Sequence, residues 1–179
     1  MKEKPIIFNT EMVRANLDRR KSQTRRPIKG LDASQWEKSL LEAGRWQEAI
    51  KCPWQIGDRL WVRETWCLDY EEEPVYKVDV DRLIEFKMIP SDIYKWRPSI
   101  HMPRWASRIL LEITNIRVER LQEIQGHDLI EEGIGCGGLA DDFAEDILRF
   151  RKFWDSCNSN FNLWHFNPWV WVLEFKRIK

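Results

Sequence analysis

The sequence predicts an α+β fold, a small β-barrel with helices packed outside it. Three observations carry that prediction. Strand-like and helix-like stretches interleave without the regular alternation of a doubly wound sheet. The closing segment, Trp169 to Lys176, keeps every odd position apolar, as a strand that buries one face does. Finally, 43% apolar residues in 179 positions are enough for one core and few for two, so the chain reads as a single domain.

The elements follow in order. Pro5-Ile6-Ile7-Phe8 is a short first strand, after which Asn9 or Thr10 caps a helix that turns Met12, Val13 and Leu17 toward the core. Ser34-Gln35-Trp36-Glu37 fits a capping box, and Trp36, Leu40, Ala43 and Ile50 recur at helical spacing, which predicts a second helix over 34–49. Gly57-Asp58 is a turn that feeds a strand from Arg59 to Trp66. Asp69 to Pro74 is an acidic turn, and Val75 to Val78 returns as a strand. Pro90, Pro98 and Pro103, mixed with Trp96, Arg97, His101, Arg104 and Trp105, mark an ordered loop. Ile109, Leu111 and Ile113 alternate, but the apolar phase then moves to Ile116 and Val118. A β-bulge near Thr114-Asn115 accounts for the slip and predicts one long, bent strand. A short helix spans His127 to Glu132, with Gly133 as its left-handed cap. A longer one carries Phe143, Ile147, Phe150 and Trp154 inward and Asp142, Glu145, Asp146, Arg149 and Lys152 outward.

The charge is local. The chain has 29 basic and 29 acidic side chains, yet seven Lys or Arg stand against one acid between Arg14 and Lys29, and nine acids against Arg120 between Glu119 and Asp146. A nucleic-acid partner would therefore meet a patch rather than a bulk field. The two segments read as opposite walls of a cleft. Four widely spaced cysteines and three histidines offer no zinc spacing and no disulfide framework, so neither metal nor cofactor is expected. The amino terminus lacks the apolar run of a signal peptide, and no run nears the roughly 20 residues of a bilayer span. A cytoplasmic protein with reduced thiols and no membrane contact is expected.

The chemistry concentrates in Arg19-Arg20-Lys21-Ser22-Gln23-Thr24-Arg25-Arg26. Lys21 and Thr24 converge on one small molecule if this stretch is a turn or a tight helical end, and point to opposite faces if it is a straight strand. When they converge, the crowded cations lower the Lys21 pKa and its amine can take the Thr24 proton, leaving Thr24 as a nucleophile. Arg19, Arg20, Arg25 and Arg26 are then available for an oxyanion or a phosphate. Taken alone, such a run is more often a solvated or phosphate-binding face than a catalytic one. Trp96 and Trp105 could equally stack on bases or pack structurally, and His101 shares their loop.

Lys21-Ser22-Gln23-Thr24-Arg25-Arg26 resembles the K-x-x-[ET]-x-R core of the ASCH domain, a PUA-like β-barrel family associated with RNA and modified nucleosides. Gly57-Asp58, Glu131-Glu132-Gly133-Ile134 and the closing Val172-Leu173-Glu174-Phe175-Lys176 fall in the family's order. Phe8 to Arg14, Arg97 to Ala106 and Asn167-Pro168-Trp169 look like ASCH-domain proteins of phages and prophages. The resemblance implies one ASCH domain over 1–179, with insertions at about 31–51 and 69–105. One branch of the family removes the acyl group of N4-acetylcytidine with a Lys, a Thr and a Glu. By motif, those roles fall on Lys21 as base, Thr24 as nucleophile and Glu132 as proton donor. A place in the last turn of a helix, beside Glu131, suits a general acid at Glu132. Where the family usually has a glycine two residues before the Lys, this chain has Arg19. The implied ligand is RNA or a modified nucleoside. Two further readings stay open: a non-catalytic RNA-binding module and a phage assembly or host-interaction factor.

Overall fold

The computed structural model describes residues 1–28, 52–85, 94–135 and 143–179, and the helix expected over 34–49 lies outside them. The described elements are β1 (Glu3–Ile7), α1 (Thr10–Leu17), β2 (Gln23–Pro27), β3 (Arg59–Arg63), β4 (Trp66–Leu68), β5 (Pro74–Tyr76), α2 (Lys77–Glu85), β6 (Leu110–Arg120), α3 (Gly126–Glu131), α4 (Phe143–Cys157) and β7 (Trp169–Arg177). Five strands form one sheet in the order β1-β3-β6-β7-β2, and β4 and β5 form a separate two-stranded sheet. The mixture is α+β.

The expected barrel is not closed. Closure would need a ladder between the edge strands β1 and β2, and each carries a proline, Pro5 or Pro27, that has no N–H to give. A side chain spans the edges instead: Arg26 Nη2 donates to the Ile7 carbonyl at 2.8 Å, with its guanidinium 5.9 Å from the Phe8 ring.

The sheet is covered on both faces. On one side, Met12 and Val13 of α1 and Val78 of α2 pack with Leu60, Val62, Leu111, Ile113, Trp171, Leu173 and Phe175. On the other, Leu129 of α3 and Phe150 and Trp154 of α4 pack with Leu121, Val170 and Val172. The closing strand therefore buries both faces over 170–173, not the odd face alone. Helices on either side leave neither face of β7 to water.

Several local expectations hold. The Asn9 side chain accepts from the Met12 amide at 2.9 Å and starts α1. The long strand β6 shifts register between Ile113 and Asn115, where the apolar phase slips. Others are corrected. The strand from Arg59 breaks after Arg63, and Trp66 restarts it in the second sheet. Only Pro74–Tyr76 returns beside β4, and Lys77 opens a helix. In α4, Phe150 and Trp154 are buried and Glu145, Arg149 and Lys152 exposed as expected, but Asp146 is buried and Phe143 43% exposed, the reverse of their expected sides.

Candidate functional site

The site begins at the end of α1. The Arg19 amide donates to the Asn16 carbonyl at 3.0 Å and the Arg20 amide to the Ala15 carbonyl at 2.8 Å, the paired bonds of a Schellman cap. That cap needs a left-handed residue, and Arg19 supplies it with φ of 60°. Arg19 thus holds a conformation that glycine adopts without cost. The turn reverses the chain and drives Lys21 inward, where it forms an isolated antiparallel bridge with Glu132.

Glu132 arrives from the end of α3. Its helix stops because Gly133 is left-handed, at φ of 82°. A β-carbon there would lie 2.6 Å from that of Ala15 and 3.2 Å from that of Lys21, so glycine also lets the α3 end approach the α1 turn. Lys21 Nζ then donates to Glu132 Oε2 at 2.6 Å and to the Glu132 carbonyl at 3.0 Å. Both side chains are buried, at 0% and 2% exposure. Burial pushes the Lys21 amine down from its ordinary pKa; Glu132 opposes that shift, and Arg26 and Arg25 add to it. The direction is the one expected, but loss of water, not the arginine crowd, is its main cause.

Thr24 and Lys21 do not share a turn. Thr24 lies within β2, opposite Leu173, and Arg26 lies opposite Trp171, so both face the first core. Lys21, which precedes the strand, stands 5.6 Å from the centroid of Phe8 in that same core. Thr24 and Lys21 thus lie on one side of the sheet without the convergence a turn would give, since no hydrogen bond joins the Thr24 hydroxyl to the Lys21 amine. Thr24 is fully buried, and among the described residues its Oγ1 has no hydrogen-bond partner.

The two charged segments interlock rather than line opposite walls. Arg25, also fully buried, donates to Gln23 Oε1 at 2.5 Å, to Glu119 Oε1 at 3.0 and 2.5 Å, and to Glu132 Oε1 at 3.2 Å. It lies 3.1 Å from Asp128 Oδ2. Gln23 in turn donates to Glu131 at 2.9 Å. Arg117 extends the network to Glu119 at 3.1 Å, to Asp128 at 2.7 Å and to Glu174. Burial alone would raise the Asp128 carboxyl, but the Gln125 amide, Arg25, Gln23 and Arg117 outweigh it and hold the pKa below its ordinary value. Arg117, Glu119 and Asp128 escaped the sequence reading. Their signals were present: Arg117 and Glu119 are two apart on one strand face, and Asp128 is the third residue of its helix, where a capping carboxylate belongs.

Of the expected ligand-binding residues, Arg19 and Arg20 are exposed, Arg26 is half-buried and Arg25 is interior. Trp96, His101 and Trp105 are not brought to this pair. Trp105, 64% exposed, sets its ring edge-on to Trp66 at 5.7 Å, and Lys77 Nζ lies 5.6 Å from the Trp96 ring. His101 is exposed in a 3-10 turn, Ser99–His101. These residues gather around β4 and α2.

No family model and no curated protein matches the chain. Among solved structures, it is similar to an ASCH domain of Lactobacillus crispatus, 12% identical with a TM-score of 0.42, over 98% of this chain and 79% of the other. It is also similar to a protein of Enterococcus faecalis described under DUF984, 10% identical with a TM-score of 0.45, over 99% and 81%.

Two cavities open at Glu132. One, small and enclosed, lies among Met12, Arg26, Glu132, Phe150, Trp154 and Cys157. The other, about 300 Å³, is bounded by Met12, Ala15, Arg20, Glu132, Gly133 and Phe153. Among the described residues, no cluster of three or more His, Cys, Asp or Glu is placed to hold a metal ion, and no helix is long and apolar enough to cross a membrane.

Proposed function

We propose that this chain is an ASCH-type, PUA-like domain that hydrolyses an N-acyl amide on a cytosine-like base, with Lys21 as base, Thr24 as nucleophile and Glu132 as acid. The observation that carries the reading is the buried 2.6 Å contact between Lys21 Nζ and Glu132 Oε2, with Glu132 itself lining a cavity of about 300 Å³.

In this reading the one proton that the buried Lys21–Glu132 contact shares sits on Glu132 when substrate is bound, leaving Lys21 as the neutral amine that desolvation favours. That state holds a base and an acid at once. The Lys21 amine takes the Thr24 hydroxyl proton as Oγ1 bonds to the acyl carbon, and Glu132 gives its proton to the exocyclic amine as the C–N bond breaks. The pair is left as ammonium and carboxylate, still with one shared proton. Water then cleaves the acyl-threonine ester, its hydroxyl going to the acyl carbon and its remaining proton to Oγ1.

The non-catalytic RNA-binding reading puts phosphates on Arg19, Arg20, Lys21, Arg25 and Arg26. Burial of Lys21 and Arg25 against carboxyl groups counts against it, since a phosphate would have to displace those groups from the interior. The test is incubation with N4-acetylcytidine and chromatography of released cytidine. Turnover is expected for the wild type and a loss of about 100-fold or more in Lys21→Ala, Thr24→Val and Glu132→Gln. Undiminished turnover in Thr24→Val would remove the nucleophile from the scheme, and no turnover by folded wild type would remove the reaction.

A further inference from the structure

The cavity at Glu132 is the inner end of a longer groove. A second cavity of about 530 Å³ is bounded by Asn9, Thr10, Glu11, Arg149, Lys152, Phe153 and Ser156. It shares Glu11, Arg149 and Phe153 with the inner one, so the two join between α1 and α4. The inner end is apolar, walled by Met12, Ala15, Ile134 and Phe153 around Glu132. The rim is cationic: Arg14, Arg20, Arg149 and Lys152 face a single carboxylate, Glu11.

We propose that this groove binds a cytosine nucleotide, with the base at the apolar end and the phosphate on the α4 cations Arg149 and Lys152. The base identity rests on the hydrolase reading; the phosphate rests on the groove alone. The rim cations are already paired, Arg14 with Glu85 at 3.0 Å, Arg20 with Asp18 at 3.4 Å, and Arg149 with Glu145 at 2.6 Å and Asp146 at 3.4 Å. Apart from the contact to buried Asp146, these pairs are solvent-screened and weak, so a dianionic phosphate, which accepts stronger charge-assisted bonds, can replace them. Lys152 is exposed one helical turn from Arg149, so both reach the same mouth. Cations outside the catalytic end hold the substrate's far end, which separates the charge of the ligand from the amide that is cleaved.

The test is calorimetric titration of the full chain with cytidine and with cytidine 5′-monophosphate. The nucleotide is expected to bind at least about tenfold more tightly, with the gap narrowing as salt rises from about 50 to 200 mM. Arg149→Ala and, because Arg149 also touches buried Asp146, the independent Lys152→Glu should each shrink that preference. Equal binding of both ligands, binding of neither, or a preference untouched by both variants overturns the proposal. The hydrolase reading fails separately: nucleotide preference without turnover of N4-acetylcytidine keeps the groove and removes the reaction, and turnover without preference does the reverse.

Discussion

Arg25 carries more of the buried charge than Lys21 does. Among the described residues its guanidinium serves Glu119, Asp128 and Glu132, whereas Lys21 serves Glu132 alone. Removing one partner of a buried pair strands the other and costs about 3–5 kcal/mol. Arg25→Met should therefore lower stability by about that amount. Lys21→Met should cost less, because Glu132 keeps Arg25; urea midpoints compare the two directly. Asp128 gives a pH signature. Its carboxyl holds its proton less tightly in the folded chain than in the unfolded one, where it titrates near 3.9. Its stabilisation is thus complete above that value and is lost as pH falls through the lower, folded one. Unfolding followed below about pH 4 should show an acid-side loss that Asp128→Asn makes shallower. At this scale the residue types of the site were legible in the sequence, because a lysine three before a threonine within a basic run matches a motif. The burial of Arg25 was not legible, since a charge run gives no sign of which members meet carboxylates more than ninety positions away.

At the scale of elements, the α1 cap and the α3 cap are a matched pair with opposite quality. Arg19 holds a left-handed conformation that costs an L-residue about 1–2 kcal/mol, and its side chain is exposed. Arg19→Gly should raise stability by up to about 1 kcal/mol once the greater freedom of unfolded glycine is set against that relief. Gly133→Ala should destabilise by about 1–3 kcal/mol, because its φ is equally left-handed and the new methyl meets Ala15. Thermal melts of the two variants should move in opposite directions. The glycine cap, the Asn9 cap and the bulge in β6 could all be read from sequence, since each is set by residues within a few positions. The burial of Asp146 and of Val170 and Val172 could not, because it depends on which element packs over them.

At the scale of the whole molecule, β7 is the strand held on every side, paired with β6 and β2 and covered by α1 on one face and α4 on the other. Amide exchange should be slowest at 171–173 and faster along the edge strand β1. Equal rates would contradict the two-faced packing. The open sheet belongs to this scale as well. Strand count and alternation predict a barrel as readily as an open sheet; the structure has the open one, with Pro5 and Pro27 on its two edge strands.

The sequence by itself determined most of the described elements, the caps at Asn9 and Gly133 and the candidate Lys21, Thr24 and Glu132, because those follow from periodicity, local hydrogen bonding and a short motif. Tertiary structure alone decided that Lys21 and Glu132, 111 residues apart, share a proton-sized gap, that Thr24 reaches their side from within a strand, and that Arg25 is interior. Contacts across such separations are set by how the layers pack, and no local pattern in the chain encodes them.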